Sequence, residues 1–494
     1  MIRRPGPPAS RPGPAGRPHG RAGPGRRVRW ADDDATPDGP AVTAAARPAW
    51  VRHAIWWQVA TLGFVGAEPT ALAAGEPVRH RLGHLVAWLD HLVELGASGL
   101  LLGPVFASSS HGYDTTDLLA VDPRLGDDAD FDTLVREAHA RGVRVLLDGV
   151  FNHVGSEHPM FRAALADGPG SAAAQWFHLF WPDDGTPVGP DGPEYAHFEG
   201  HRTLVTLDHA SPAVRDHVVE VMCHWLDRGA DGWRLDAAYA VPNDFWAAVL
   251  PRVRERHPDA YVVGEVIHGD YPSFVTEGGL DSVTEYELWK AVWSSLNDRN
   301  FHELAWTLGR HDTLLDTFVP LTFVGNHDVT RIASKLDDPR HLPHTVAALM
   351  TLAGTPSVYY GDEYALRAVK EDRAGGDDAV RPEFPATPQE AQTLAAQGPE
   401  TYRLHQELIG VRRRHPWLHD ARTEVLHVTD TAVVWRSAGG EGCLLTALST
   451  DDTELTLEAP GATQLLAGAG RLAGAGAQAR VTLDPHGWAV LAVA

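Results

Sequence analysis

The stretch "ADGWRLDAA", residues 230–238, sets Arg234 and Asp236 two positions apart inside an otherwise apolar run. A β-strand turns residues i and i+2 to one side, so the guanidinium and the carboxylate share a face. An arginine beside a carboxylate favours the ionised acid, which describes an aspartate held as an anion and ready to attack. Alone, the pair equally fits a structural ion pair at a strand end. The decision rests on its surroundings.

Seven further runs have the same character: "AIWWQVATLGF" (54–64), "GLLLGPVF" (99–106), "VRVLLDGVF" (143–151), "YVVGEVI" (261–267), "DSVTEY" (281–286), "TFVGNHD" (322–328) and "SVYYGDE" (357–363). Helix-like segments separate them, among them 81–96, 130–142, 211–229 and 243–258, with Ser211-Pro212 reading as an N-cap followed by proline at the first helical position. Near-continuous apolar strands alternating with helices predict a parallel sheet buried on both faces. Eight of them predict an α/β protein built on a (β/α)8 TIM barrel. The polar residues agree, because Asp148, Asn152, His153, Asp236, Glu265, His327 and Asp328 all fall at the C-terminal ends of their runs, where barrel active sites are assembled.

Around 60 residues separate the third strand from the helix opening at Ser211, too many for a structureless loop in a compact domain. They are read as a small inserted domain, 152–210, within a catalytic barrel spanning 49–416. Residues 417–494 show alternation with frequent turn residues, the pattern of an antiparallel β-sandwich. Residues 1–48 read as a disordered tail: the first 30 hold seven prolines, six glycines and eight arginines, with no acid.

The 494-residue chain carries a formal charge of −23, and with those eight arginines set aside the rest carries −31. So acidic a body repels nucleic acid and anionic lipid, while a neutral substrate is not disfavoured. No apolar segment of signal-peptide type follows the N-terminal arginines and no run of about 18 apolar residues appears, so a cytoplasmic protein without membrane contact is expected. The two cysteines, Cys223 and Cys443, are far apart and fit a reducing interior without metal spacing. Despite 27 histidines there is no H-E-x-x-H pattern, and no metal is expected.

Three acids at three strand ends, Asp236, Glu265 and Asp328, suit cleavage of an acetal. That reaction needs one carboxylate at the anomeric carbon and one protonated carboxyl at the leaving oxygen, about 5–5.5 Å apart when configuration is retained. Asp328 suits the binding and bending of a sugar ring. In order, "DGVFNHVG" (148–155), "GWRLDAA" (232–238), "VVGEVI" (262–267) and "FVGNHD" (323–328) resemble the four signature regions of the α-amylase family of glycoside hydrolases, and "HGYDTTD" (111–117) and "GTPSVYYGDE" (354–363) look like two more. The resemblance runs from about residue 50 to the C-terminus. It implies Asp236 as nucleophile, Glu265 as general acid/base, Asp328 as transition-state stabiliser and Arg234 as the cation keeping Asp236 charged. It further implies that His153 and His327 bond sugar hydroxyls, that Tyr113 stacks under the ring, and that Asp148 supports Arg234 and His153.

Tyr239 and Ala240 stand where the large amylases carry Lys-His, which speaks against their calcium site, and Ser110 replaces the acid that clamps a terminal glucose in exo-acting α-glucosidases. "HFEGHRTLVTLD" (197–208) is similar to the intracellular maltodextrin- and cyclodextrin-degrading members. The expectation is a retaining hydrolase of α-glucosidic bonds in maltodextrins, with an α-glucan oligosaccharide as partner, no cofactor, and a monomeric or weakly self-associating chain. A transglycosylase or a trehalose-synthase-like isomerase would use the same residues, and a barrel retained as a non-catalytic transporter subunit would have lost its acids. The segment "LRAVKEDRAGGDDAVRPEF" (366–384) reads as a rim of the site or a solvated loop, with Arg381 a candidate contact.

Overall fold

The structure, a computed structural model, describes residues 48–182, 192–373, 375–391, 394–440 and 442–494. The predicted tail therefore lies, apart from Pro48, outside the described residues. Eight parallel strands form one sheet: β1 Trp56–Val59, β2 Gly99–Leu102, β3 Arg144–Gly149, β4 Gly232–Leu235, β5 Tyr261–Gly264, β6 Ser282–Val283, β7 Leu321–Phe323 and β8 Thr355–Tyr359. Their order is β6-β5-β4-β3-β2-β1-β8-β7, and a parallel bridge from Thr284 to Leu321 joins the outer pair. The Glu285 N–H donates to the Leu321 carbonyl at 3.0 Å. The sheet is closed.

Each strand begins within or beside its predicted run, but several end early. The run 54–64 stops as a strand at Val59 and continues as the short helix Thr61–Phe64. The helices Leu82–Leu95, Asp128–Ala140, Pro212–Asp227 and Asn243–Arg256 occupy the four predicted segments. Ser211 does take the N-cap position, yet its side chain makes no cap bond. Asp127 provides the capping box instead, accepting from the Asp130 N–H while the Asp130 side chain accepts from the Asp127 N–H.

Strand periodicity divides the inner layers of the barrel. Trp56, Leu101, Leu146, Tyr261, Val263, Leu321 and Phe323 pack together inside, with Trp56 stacked on Tyr261 at 6.3 Å between ring centroids. Gly99 makes room for the Trp56 ring, 2.2 Å from where a Cβ would lie, and Gly232 for the backbone carbonyl of Tyr261, 2.0 Å from where its Cβ would lie. Two residues further along, the same inward faces carry Gln58, Asp148, Arg234 and Glu265. The register sets Arg234 opposite Asp148 on β3. The lower layer is apolar and the upper layer ionic.

Between β3 and β4 the chain builds the pair His153–Gly155 with Leu204–Thr206, the helix Pro159–Asp167, and the pair Leu179–Phe180 with Glu194–Tyr195. After the barrel, five antiparallel strands (Arg422–Val428, Ala432–Gly439, Gly442–Ser449, Trp488–Val493 and Ala462–Gly468) face a three-stranded sheet. Alternation decides the sides: Ala432, Val434, Leu445 and Ala447 pack between the two sheets, while Val433, Trp435, Leu444 and Leu448 join the main core of the barrel. Among the described residues no helix is long and apolar enough to cross a membrane.

The helix Leu342–Thr351 forms the joint between barrel and sandwich. His344, fully buried there, bonds the Ser449 carbonyl through Nε2 at 3.0 Å. Burial pushes its imidazole down to about 3 from an ordinary 6.5. A ring that is neutral when folded and free to charge when unfolded adds stability that is complete above pH 6.5 and is lost as the pH falls toward 3. The unfolding midpoint is expected to drop between pH 6.5 and 4. His344→Gln, which keeps an N–H for Ser449, should flatten part of that drop in a thermal melt series.

Candidate active site

The carboxyl end of the barrel gathers its charges around one cation. Arg234, whose side chain is 3% exposed, sends Nη1 to both oxygens of Asp148 at 2.6 and 2.7 Å and to Asp236 Oδ1 at 3.3 Å. Its Nη2 lies 2.9 Å from Glu265 Oε1 and 4.0 Å from Asp328 Oδ2. The three acids expected from the sequence therefore meet at one place, and two of them are held by different nitrogens of a single guanidinium.

This geometry corrects the sequence reading of Arg234 in two respects. First, its tight partner is Asp148, set directly opposite it by the register, and Asp236 is the most weakly held of its three close carboxylates. Burial and the negative charge of Glu265 push the Asp236 carboxyl well up, against the pull of Arg234. Second, Arg234 is buried beneath the acids with both Nη atoms turned to carboxylates, a hub and not a sugar-binding surface. Four carboxyls (Asp148, Asp236, Glu265 and Asp328) face the two guanidiniums of Arg234 and Arg381, so the cluster retains a proton that isolated carboxyls would lose at neutral pH. Asp148 shares in this, raised to about 6 by burial despite Arg234.

Backbone shape links the two central acids. Ala237, directly after Asp236, has φ 45° and ψ 38°, a left-handed conformation uncommon for a residue with a Cβ. That turn aims its N–H at Glu265 Oε2, 3.1 Å away, while Tyr286 Oη donates to Glu265 Oε1 at 3.0 Å. Asn326 donates in turn to Tyr286 Oη at 2.9 Å and accepts from the Asp328 N–H at 2.9 Å. Neither Tyr286 nor Asn326 stood out in the sequence as a contributor, although Asn326 lies inside the quoted motif.

Asp328 is the most open of the acids, its side chain 29% exposed against 10% for Asp236 and 7% for Glu265. Burial pushes its carboxyl up, but His327 and the guanidiniums of Arg381 and Arg234 outweigh this and hold it below the ordinary carboxylate value. Burial keeps His327 itself neutral, down to about 3, so the lasting pull comes from Arg381, whose Nη2 lies 2.8 Å from Asp328 Oδ1. Arg381 also donates through Nε to the His327 carbonyl at 3.0 Å and covers the Tyr113 ring at 5.6 Å. The segment 366–384 thus delivers a residue of the site itself.

Tyr113 lies parallel to His327 at 5.7 Å between centroids, and its hydroxyl meets both His327 Nε2 and, at 3.2 Å, Asp148 Oδ2. Gln58 bonds the other ring nitrogen of His327 at 3.1 Å. Tyr113, His327 and Arg381, with His111, Leu62 and Pro104, line a cleft of about 260 Å³ that is partly open to solvent. His153 takes its bond from Asn152 at 3.1 Å, not from Asp148 as expected, and stacks on Phe198 of the inserted segment at 4.8 Å. Its Nε2 is buried without a well-formed partner, with the Tyr113 carbonyl near it.

A family model described as the alpha amylase catalytic domain matches residues 82–420. The chain belongs to the α-amylase family. It is 28% identical to a cyclomaltodextrinase of Geobacillus thermopakistaniensis over 90% of this chain and 78% of that protein. An intracellular maltogenic amylase of Bacillus subtilis is 29% identical over 65% of this chain, and the match spans 56% of that longer protein. Among solved structures, the debranching enzyme of Nostoc punctiforme, from a crystal soaked with acarbose, superposes with a TM-score of 0.74 at 26% identity, covering 90% of this chain and 99% of that one. The cyclic α-maltosyl-(1→6)-maltose hydrolase of Arthrobacter globiformis gives 0.74 at 25% identity, covering 90% and 100%. The protein is accordingly a glycosidase of this family on the barrel-plus-sandwich fold.

At the positions where the large amylases carry Lys-His, the Tyr239 hydroxyl donates to Glu199 Oε1 at 2.8 Å and Ala240 offers no side-chain ligand, while the Asn152 amide nitrogen contacts His153. Since one planar fork spans Asp148 and Glu265, lysine is not a conservative replacement for it. Arg234→Lys is expected to fold but to lose turnover on the order of 10²–10³-fold through misplacement of the acids, measured as kcat at saturating substrate alongside a thermal melt.

Proposed function

We propose that this glycosidase hydrolyses α-glucosidic bonds in maltodextrins with retention of configuration, by a covalent glycosyl-enzyme formed on Asp236. The observation that carries the reading is the shared guanidinium: Asp236 and Glu265 are bonded to Nη1 and Nη2 of Arg234, beside the open mouth at Asp328. Such a clamp favours the close pair of a retaining enzyme over a pair spread to admit a water between acid and sugar.

In the first step the proton the cluster retains resides on Glu265, which removes the negative charge that pushes Asp236 up and leaves Asp236 ionised. An Asp236 oxygen then bonds the anomeric carbon as the glycosidic C–O bond breaks, and Glu265 gives that proton to the departing oxygen. In the second, Glu265 takes a proton from a water whose oxygen bonds the same carbon, and the Asp236 ester bond breaks. Two inversions return the α-anomer. Positive charge grows on the ring in the transition state of each step. Asp328, kept ionised by Arg381, supplies the opposing charge, and it is the acid that solvent reaches most easily. The His153 nitrogen lacking a well-formed partner suits a sugar hydroxyl, and Tyr113 with His327 gives the ring a flat wall.

The relatives named above support short α-glucans, linear or cyclic, as substrate class, and the one named intracellular supports action inside the cell. Incubation with maltoheptaose and β-cyclodextrin, followed by NMR of the first product, tests the reading. The α-anomer of a shorter maltodextrin is expected; a β-anomer would sink retention, and trehalose or longer oligomers would favour glycosyl transfer. Asp236→Ala should lower turnover by several orders of magnitude with an unchanged unfolding midpoint. Dialysis against EDTA should leave the rate unchanged, a loss restored by calcium being the contrary result.

A further inference from the structure

Away from the acids, the joint between barrel and sandwich holds a second cluster. Asp338 and His341 sit at the entry to the Leu342–Thr351 helix, and His486 lies in the turn before the last strand, with φ 55°. One donor atom from each of the three falls within 4.8 Å of the other two. His341 Nε2 and His486 Nδ1 face one another at 2.9 Å. We propose that Asp338, His341 and His486 form a zinc-class metal site that pins the sandwich to the barrel.

Two features carry the assignment. His486 Nε2 lies 2.9 Å from Asp452 Oδ1, so the ring keeps its proton on Nε2, donating to that carboxylate, and Nδ1 is the lone pair facing His341. A carboxylate behind a ligating histidine is the usual outer support of an imidazole-bound metal. Next, His341 and His486 are both buried, 2% and 6% exposed, so their facing nitrogens are shielded from competing water.

Two imidazoles and one carboxylate select zinc or a neighbouring divalent transition ion over calcium. Tetrahedral ligands on zinc stand about 3.3 Å apart, from bond lengths of about 2.0–2.1 Å; the facing nitrogens at 2.9 Å need open by only a few tenths of an ångström. A fourth position is available to water, because Asp338 keeps 26% of its side chain exposed. The facing cations are Arg340, which now chelates Asp338 and is itself 59% exposed, and Arg299, which holds Asp452 at 2.9 Å. Binding the ion exchanges Arg340 for metal at Asp338. Arg299 stays in place.

The test uses the full chain, stripped with chelator, incubated with zinc sulfate, desalted and assayed for bound metal and unfolding midpoint. About one zinc per chain and a rise of a few degrees in the midpoint are expected, both lost in His486→Gln and in Asp338→Asn. The half-exposed Asp338→Asn keeps the test valid if the buried histidine variant fails to fold. Failure of the wild-type chain to retain zinc, or retention by Asp338→Asn equal to wild type, overturns the assignment.

Discussion

A single guanidinium organises the mouth of this barrel. Four carboxyls within reach of one another would repel strongly enough to splay their strands or stay protonated, and Arg234 is the charge that lets them converge. Its position follows from the backbone. Strand period brings Gly232, Arg234 and Asp236 to the inner face, register lays Arg234 against Asp148, and the left-handed turn at Ala237 swings the next N–H onto Glu265. Truncating Arg234 would leave buried negative charges facing each other, a far larger penalty than one lost hydrogen bond.

The layered interior explains why such a cluster is tolerated. Below it, Trp56 and Tyr261 fill the barrel with stacked rings, each worth roughly 5 kcal/mol of burial. That apolar plug lets the upper layer be ionic. Arg381 then closes the network from outside the sheet. Its neighbours are fixed by Arg331, which donates to the Val380 carbonyl at 3.0 Å, and by Tyr360, which donates to the Pro382 carbonyl at 2.8 Å. The guanidinium reaching Asp328 is thus held by backbone bonds on both sides.

Periodicity made the architecture legible, since buried parallel strands are apolar throughout and end in the polar residues that line the mouth. Even β6, two residues long, was found because "DSVTEY" keeps the pattern. What escaped was set by register and by long connections. An R-x-D pair in one strand does not say how the adjacent strand shares the arginine, so Asp148 reads as a support of Arg234 but not as a closer partner than Asp236. Arg381 reads as a candidate contact, but its partner Asp328 lies 53 positions away, a pairing no local pattern encodes. The orphaned nitrogen of His153 was invisible for the same reason: its neighbours Asn152 and Phe198 come from opposite ends of the inserted segment.

Closure of the sheet also shapes how the chain must be made. β1 pairs with β2 on one side and with β8 on the other, and about 300 residues separate β1 from β8. At a synthesis rate of about 5–20 residues per second, the second edge of β1 waits roughly 15–60 seconds for its partner. During that wait a strand reading Trp-Trp-Gln-Val offers bare backbone groups and two indoles to any passing chain. Until β8 emerges, that first strand keeps one edge open to pairing with another chain.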